Sequence, residues 1–353
     1  MGTMPSTFAV RLATLALGAV SLTPAPAPVV TQQASGTTQR LQALSAVSDR
    51  VAWASGTGGT YVVSTDGGDH WRAGVVPRAD SLEFRDVAAL DSATAWLLAS
   101  GPGARSRIYH TGDGGATWTL QFTNTDPAAF FDCFAFWDAT HGIAVSDGVR
   151  GRFPILLTDD GGAHWTPRPF DTSPAADSGE GAFAASGTCL VTAPGGRAWI
   201  GTGASPSGGG RVLATEDYGK NWTSRPTPIQ HGSATTGITT LAFRDPGHGF
   251  AGGGDIGLRA HQTTRVVRTD DGGRTWNAVA SPGFAGAVYG LAVVPGLPGA
   301  LVAVGPGGAA FSLTDGASWA ALDSASYWSA GFASPRAGWL VGPNGRIAKV
   351  SFR

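Results

Sequence analysis

Lysine, glutamate and methionine are nearly absent from this 353-residue chain, which has two Lys, three Glu and two Met. Such a sequence cannot lay down the Glu/Lys-laced surface of a coiled coil or a long helical repeat. Charged residues are only 14%, and a net charge of −1 leaves no global basic field for nucleic acid. Disorder is excluded as well, because 42% of the residues are hydrophobic. Gly is abundant, at 53 residues, but without the three-residue period of collagen. No apolar run reaches the roughly 20 residues that a membrane-spanning helix needs. The longest, residues 12–22 (LATLALGAVSL), follows a start with one Arg and no acid and precedes a Pro/Ala tract. That is the order of a secretory signal. We therefore expect residues 1–27 to be removed and residues 28–353 to be exported, with no Cys near the cleavage region to carry a lipid.

Cysteine is scarce too: Cys133 and Cys189 are the only two. No Cys/His cluster has zinc spacing, so neither a metal nor a cofactor is expected.

What the chain has in quantity is repetition. The pattern Ser/Thr-x-Asp-x-Gly-x-x-Trp occurs with Asp66 and Trp71, Asp113 and Trp118, Asp160 and Trp165, Asp217 and Trp222, and Asp271 and Trp276. A sixth copy ends at Trp319, with Thr314 where Asp belongs. The Trp-to-Trp spacings are 47, 47, 57, 54 and 43. Seven short strands such as Ala52-Trp53-Ala54, Ala95-Trp96-Leu97 and Gly338-Trp339-Leu340 accompany these boxes. Seven units of about 45 residues, each with room for four short strands, predict an all-β, seven-bladed propeller. Within each box, Asp caps a tight turn, Gly supplies a positive φ and Trp plugs the gap between strands or blades. The seventh unit lacks a fourth strand, which Val29–Gln33 (VVTQQ) is expected to supply, closing the ring.

These boxes are Asp-boxes, as in bacterial neuraminidase repeats. Several are paired with a preceding strand such as His141-Gly-Ile-Ala-Val145, His248-Gly-Phe-Ala-Gly252 or Ala337-Gly-Trp-Leu-Val-Gly342. In that combination residues 40–353 resemble the Ycf48 family of photosystem II assembly factors. The resemblance implies a seven-bladed propeller on the lumenal or periplasmic side of a membrane. It also implies a non-catalytic scaffold that is monomeric by itself. Its partner would be a membrane protein or complex, of reaction-centre type if the host is phototrophic. An arginine patch serves partner binding in that family.

Arginine supplies 22 of the 24 basic residues. Arg107, Arg211 and Arg265 each lie six residues before a box Asp; Arg105 and Arg152 lie eight before, and Arg150 and Arg259 are nearby. These positions fall in loops between second and third strands, on the face opposite the boxes. They are expected to form an arc on blades 2 to 5 that docks an acidic segment of the partner through bidentate contacts. The competing reading is a sialidase-like glycoside hydrolase or a glycan-binding propeller, with Tyr289, Glu83 and Glu180 as candidates. Against it, the Phe/Tyr-Arg-Ile-Pro signature of sialidases is absent. Cys133 and Cys189 are 56 residues apart, as are Ile143 and Trp199, which occupy equivalent positions in neighbouring units. The cysteines should thus sit on adjacent inner strands, either bridged or as two buried thiols.

Overall fold

A computed structural model of the chain describes residues 1–2, 27–206, 208 and 210–353; the signal-like residues 12–22 lie outside the described residues. Among the described residues, twenty-eight strands run from β1 (Val29–Gln33) to β28 (Ile347–Ser351), and they form seven four-stranded antiparallel sheets. Six sheets take their strands in sequence order from the axis outward, from blade 1 (residues 41–75) to blade 6 (residues 290–323). The seventh is composite. Its three inner strands come from residues 329–351, and its outer strand is β1, antiparallel to β28 from Val29↔Ser351 to Gln33↔Ile347.

The buried side chains divide into seven clusters, each at the interface between two adjacent blades. The second strand of each blade carries the main apolar load: Trp53, Leu97, Ile143, Trp199, Ala251, Val302 and Trp339 are all fully or almost fully buried. β-branched, aromatic and small residues suit such strands, which are covered on both faces.

The box turns between third and fourth strands hold the ring on one face. In each complete box the Asp carboxylate accepts the backbone N–H four residues on, as in Asp113 to Thr117 at 2.8 Å and Asp160 to His164 at 2.9 Å. The Ser/Thr hydroxyl two residues before the Asp accepts the second Gly N–H, as in Thr111 to Gly115 at 2.9 Å. The residue after the Asp donates its N–H to the first hairpin of the same blade: Gly67 to Arg50, Gly114 to Ala93, Gly161 to Thr140, Tyr218 to Gly196, Gly272 to Gly247 and Asp315 to Gly299. That residue has φ between 53° and 82° in all six boxes, which is why Gly fills four of them. The box Trp packs toward the preceding blade. Trp118 meets Trp53 edge-on at 6.4 Å, and Trp71 meets Trp339 at 6.3 Å. The Trp71 indole also donates to Gln33 of β1 at 3.0 Å, tying the first box to the closing strand.

The opposite face carries the loops between second and third strands and the connections between blades. The former are long in blades 2 to 5 and only a few residues in blades 1 and 6. The longest connection, residues 168–189, leads from blade 3 to blade 4 and folds inward over the axis. Ser186 O accepts from Ser329 of blade 7 at 3.2 Å, and Thr188 meets Thr240 of blade 5 at 2.7 Å. Cys189, at its end, is disulfide-bonded to Cys133 of the innermost strand of blade 3, with the Cα atoms 6.1 Å apart.

Candidate functional site on the arginine face

The first residues of the innermost strands surround the axial mouth on the loop face. In blades 1, 2, 3 and 5 these strands carry a register shift near their start, at Leu41/Ala43, Phe84/Asp86, Phe131/Cys133 and Ile238/Thr240. Such a shift inserts one unpaired residue and re-aims its side chain. The residues so placed are Gln42, Arg85, Asp132 and Thr239; Tyr289 and Trp328 hold the corresponding register positions in blades 6 and 7.

Two guanidinium groups share one carboxylate here. Glu83 is 2.8 Å from Arg85 and 3.5 Å from Arg40. Arg40 also lies over the indole of Trp328, 4.8 Å from its centroid, in the position for a cation–π contact. Trp328 in turn meets Tyr289, with ring centroids 5.0 Å apart. Burial raises the Tyr289 hydroxyl above its ordinary pKa, opposed by the charge of Arg259. Arg259 itself is exposed. The mouth is therefore an aromatic pair beside Arg40, Arg85 and Arg259, with Glu83 pairing the first two and the buried Asp132 carboxyl within reach of the Arg85 charge. An excess of guanidinium over ionised carboxylate beside the half-buried Trp328 ring suits a carboxylate joined to an apolar group.

Beneath the mouth the folded-in connection meets two acids. Asp147 accepts the Ala182 N–H at 3.0 Å, and Asp132 lies close by with its Oδ2 buried and unpaired. Burial pushes the Asp132 carboxyl well above the usual range, and the neighbouring Asp147 charge adds to the effect. Burial likewise raises Asp147, to about 6. The two acids thus carry less than two negative charges.

The arginines expected to dock a partner meet different fates. Arg105, Arg107, Arg150 and Arg259 present exposed or half-exposed side chains on this face. Arg105 reaches Ser81 O at 2.9 Å, Arg107 reaches Ala104 O at 2.7 Å, and Arg150 pairs with Asp126 at 2.7 Å. Arg152 is half-buried and donates to Ser173 O at 2.7 Å. Arg265 departs from the expected arc. It is 1% exposed, and its guanidinium is consumed by the backbone carbonyls of Pro282, Phe284 and Gly286. Residues 282–286, in the connection from blade 5 to blade 6, supply all three carbonyls. Arg211 departs too. It is bound to Glu180 at 2.5 and 2.7 Å, to Ala175 O at 2.9 Å and to Ser224 at 3.2 Å.

That pairing also removes Glu180 from the enzyme reading. Its side chain is 0% exposed and accepts from Arg211, Thr202 and the Asp177 N–H. Glu83 is held by two arginines, and no carboxylate hydrogen-bonds the Tyr289 hydroxyl among the described residues. The tyrosine–acid pair of a sialidase is not assembled. Sequence spacing missed Arg40, Arg85 and Trp328. They stand at strand starts rather than in loops, and only the register shift and the shared Glu83 single them out.

No family model matches the chain, and no curated protein matches it in sequence. Solved structures do match in shape. "YCF48 bound to D1 peptide" aligns over 93% of this chain and 98% of its own, at TM-score 0.64 and 16% identity. YCF48 from Cyanidioschyzon merolae aligns over 91% and 98%, at TM-score 0.67 and 16% identity. U3-55K aligns over 91% and 98%, at TM-score 0.62 and 11% identity. At these identities the likeness is one of fold: the chain is an all-β, seven-bladed propeller similar to the YCF48 structures.

Proposed function

We propose that this protein is an exported, non-catalytic scaffold that docks on a membrane protein or complex through its arginine face. The observation that carries the reading is the axial mouth, where Arg40, Arg85 and Arg259 outnumber Glu83 around Tyr289 and Trp328. Arg105, Arg107 and Arg150 extend the same face over blades 2 and 3. The partner segment this chemistry fits bears a carboxylate next to apolar groups and is presented on the periplasmic side. A propeller of the same fold has been solved bound to a D1 peptide, which supports a peptide-docking role for this chain.

The test is capture from the host's own membranes by cross-linking and mass spectrometry. Wild-type protein should recover a membrane complex, and the Arg105→Glu/Arg107→Glu/Arg259→Glu variant, changed at exposed or half-exposed positions, should not, with melting temperatures within about 2 °C of each other. Equal recovery by both proteins would overturn the reading.

A further inference from the structure

On the opposite face, a groove of about 470 Å³ opens between blades 3 and 4. Its walls include Trp137, His141 and Leu157 of blade 3 and Tyr218 of blade 4; Asp159 and Lys220 stand at its rim. Tyr218 is the residue after the Asp in the fourth box. Gly67, Gly114, Gly161 and Gly272 hold that place elsewhere, at φ between 72° and 82°. Tyr218 adopts φ 60°, a conformation that a bulky L-residue rarely takes. Asp315, the other exception, uses its side chain to pair with Arg244 and Arg268. Tyr218 makes no side-chain hydrogen bond among the described residues, and it is 38% exposed. Its ring stands 5.1 Å from that of Trp137 at 64°, and 5.4 Å from that of His141 at 50°. Both neighbours are fixed. The Trp137 indole donates to Arg197 O at 2.6 Å, and His141 is bound to Asp138 at 2.9 Å.

We propose that this aromatic corner binds a neutral saccharide unit. A pyranose has one apolar C–H face and a rim of hydroxyls. The corner offers a ring to stack on, a second ring as a wall, and donors and acceptors at the edge. The volume lies within the range of small-molecule sites. The two rim charges, on Asp159 and Lys220, have opposite sign, so the groove has no net pull on an anion. The steep angle between the rings makes a corner for one ring-shaped unit rather than a ridge-lined track for an extended proline-rich peptide. The groove lies away from the arginine face, so its ligand is independent of the docking partner.

The test titrates the full chain with cellohexaose, maltohexaose and chitohexaose, read by calorimetry and by saturation-transfer NMR, with decaproline as the competitor class. At least one saccharide should bind. Tyr218→Gly, which installs the residue used by four other boxes, should weaken it at least about tenfold while leaving the melting temperature unchanged or higher. If that variant fails to fold, the exposed pair Asp159→Ala/Lys220→Ala serves instead and should weaken the same saccharide at least about fivefold. Three results overturn the proposal: no saccharide binding up to about 10 mM, undiminished binding by the variants, or binding of decaproline alone.

Discussion

The two faces of the ring are built from one repeat, yet they obey different rules. On the box face, the cap of each turn is closed by contacts within its own blade, and the preceding blade adds a bond to several of them, as Trp96 does to Gly161 O at 3.0 Å and Trp199 to Gly272 O at 2.9 Å. Asp113 bonds to Thr117, Thr111 to Gly115, and Gly114 to the adjacent hairpin. Equivalent residues there do equivalent things. On the loop face, Arg107, Arg211 and Arg265 share one repeat position and have three environments: a half-exposed loop contact, a buried ion pair and a carbonyl cage. The difference lies in what each side chain meets. The capping groups of a box meet backbone at fixed sequence distance, whereas a loop arginine meets whatever the adjoining loops bring. Repeat register therefore fixes where a side chain starts and not whether it is free.

The comparison breaks most sharply at the arginines themselves. Arg265→Glu would bury an unpaired carboxylate facing three carbonyls, so it should cost more than about 4 kcal/mol and leave little folded protein. Arg107→Glu, at the same repeat position, should stay within about 1 kcal/mol of wild type. Thermal melts of the two variants settle the matter, and similar losses would contradict the structure's account of both. Next in size is Glu180→Ala, which strands the Arg211 guanidinium with only Ala175 O and Ser224 as partners. A loss of about 3–5 kcal/mol is expected in urea denaturation. The Cys133→Ser/Cys189→Ser variant should then lose about 2–4 kcal/mol. Reducing agent should lower the wild type's melting temperature and leave that variant unmoved.

How far the sequence could be read follows the same division. The blade count, the box hydrogen bonds and the nearness of Cys133 to Cys189 rest on positions repeated along the chain, and spacing exposes them; that the two cysteines are bridged is shown by the structure and not by the spacing. The burial of Arg265 depends on residues 282–286, and the occupation of Arg211 depends on residues 168–189 turning inward. No periodicity encodes either event. The axial mouth escaped for another reason: Arg85 and Gln42 are made to face the axis by a one-residue shift, and a period-2 reading of the strand passes over it.

The acids of the two faces should respond to pH in opposite senses. Hydrogen bonds from Thr117 and the His164 N–H lower Asp113 and Asp160 to about 2 from an ordinary 3.8. Their contribution is complete above about pH 4 and is lost as pH falls through about 2. Asp147, raised to about 6 by burial, contributes fully below about pH 4 and loses that contribution as pH rises through about 6. Asp132, also raised by burial, works in the same sense. Asp132→Asn keeps the shape of the side chain and removes a carboxyl that resists ionisation. It should raise the melting temperature by about 2–4 °C at pH 8 and leave it nearly unchanged at pH 4.5. An equal gain at both pH values would show that the effect is packing rather than charge.

The smallest effect is expected where the box repeat itself lapses. Thr314 stands in the place of Asp, yet its hydroxyl already accepts the Ser318 N–H at 3.0 Å and meets the Ser318 hydroxyl at 2.9 Å. The turn therefore has its cap without a carboxylate, and Ser312 still accepts the Gly316 N–H at 3.0 Å. Thr314→Asp would restore the charge-assisted bond of the other boxes. It would also set a second carboxylate beside Asp315, whose own charge serves Arg244 and Arg268. Gain and repulsion oppose each other, so the net change at pH 7 should lie within about 0.5 kcal/mol. Added salt should tip the balance toward the variant, because it screens the exposed repulsion more than the short hydrogen bond. A stabilisation well beyond that range would mean that the missing Asp leaves a true gap in the ring, and that the box face tolerates variation less than its local hydrogen bonds imply.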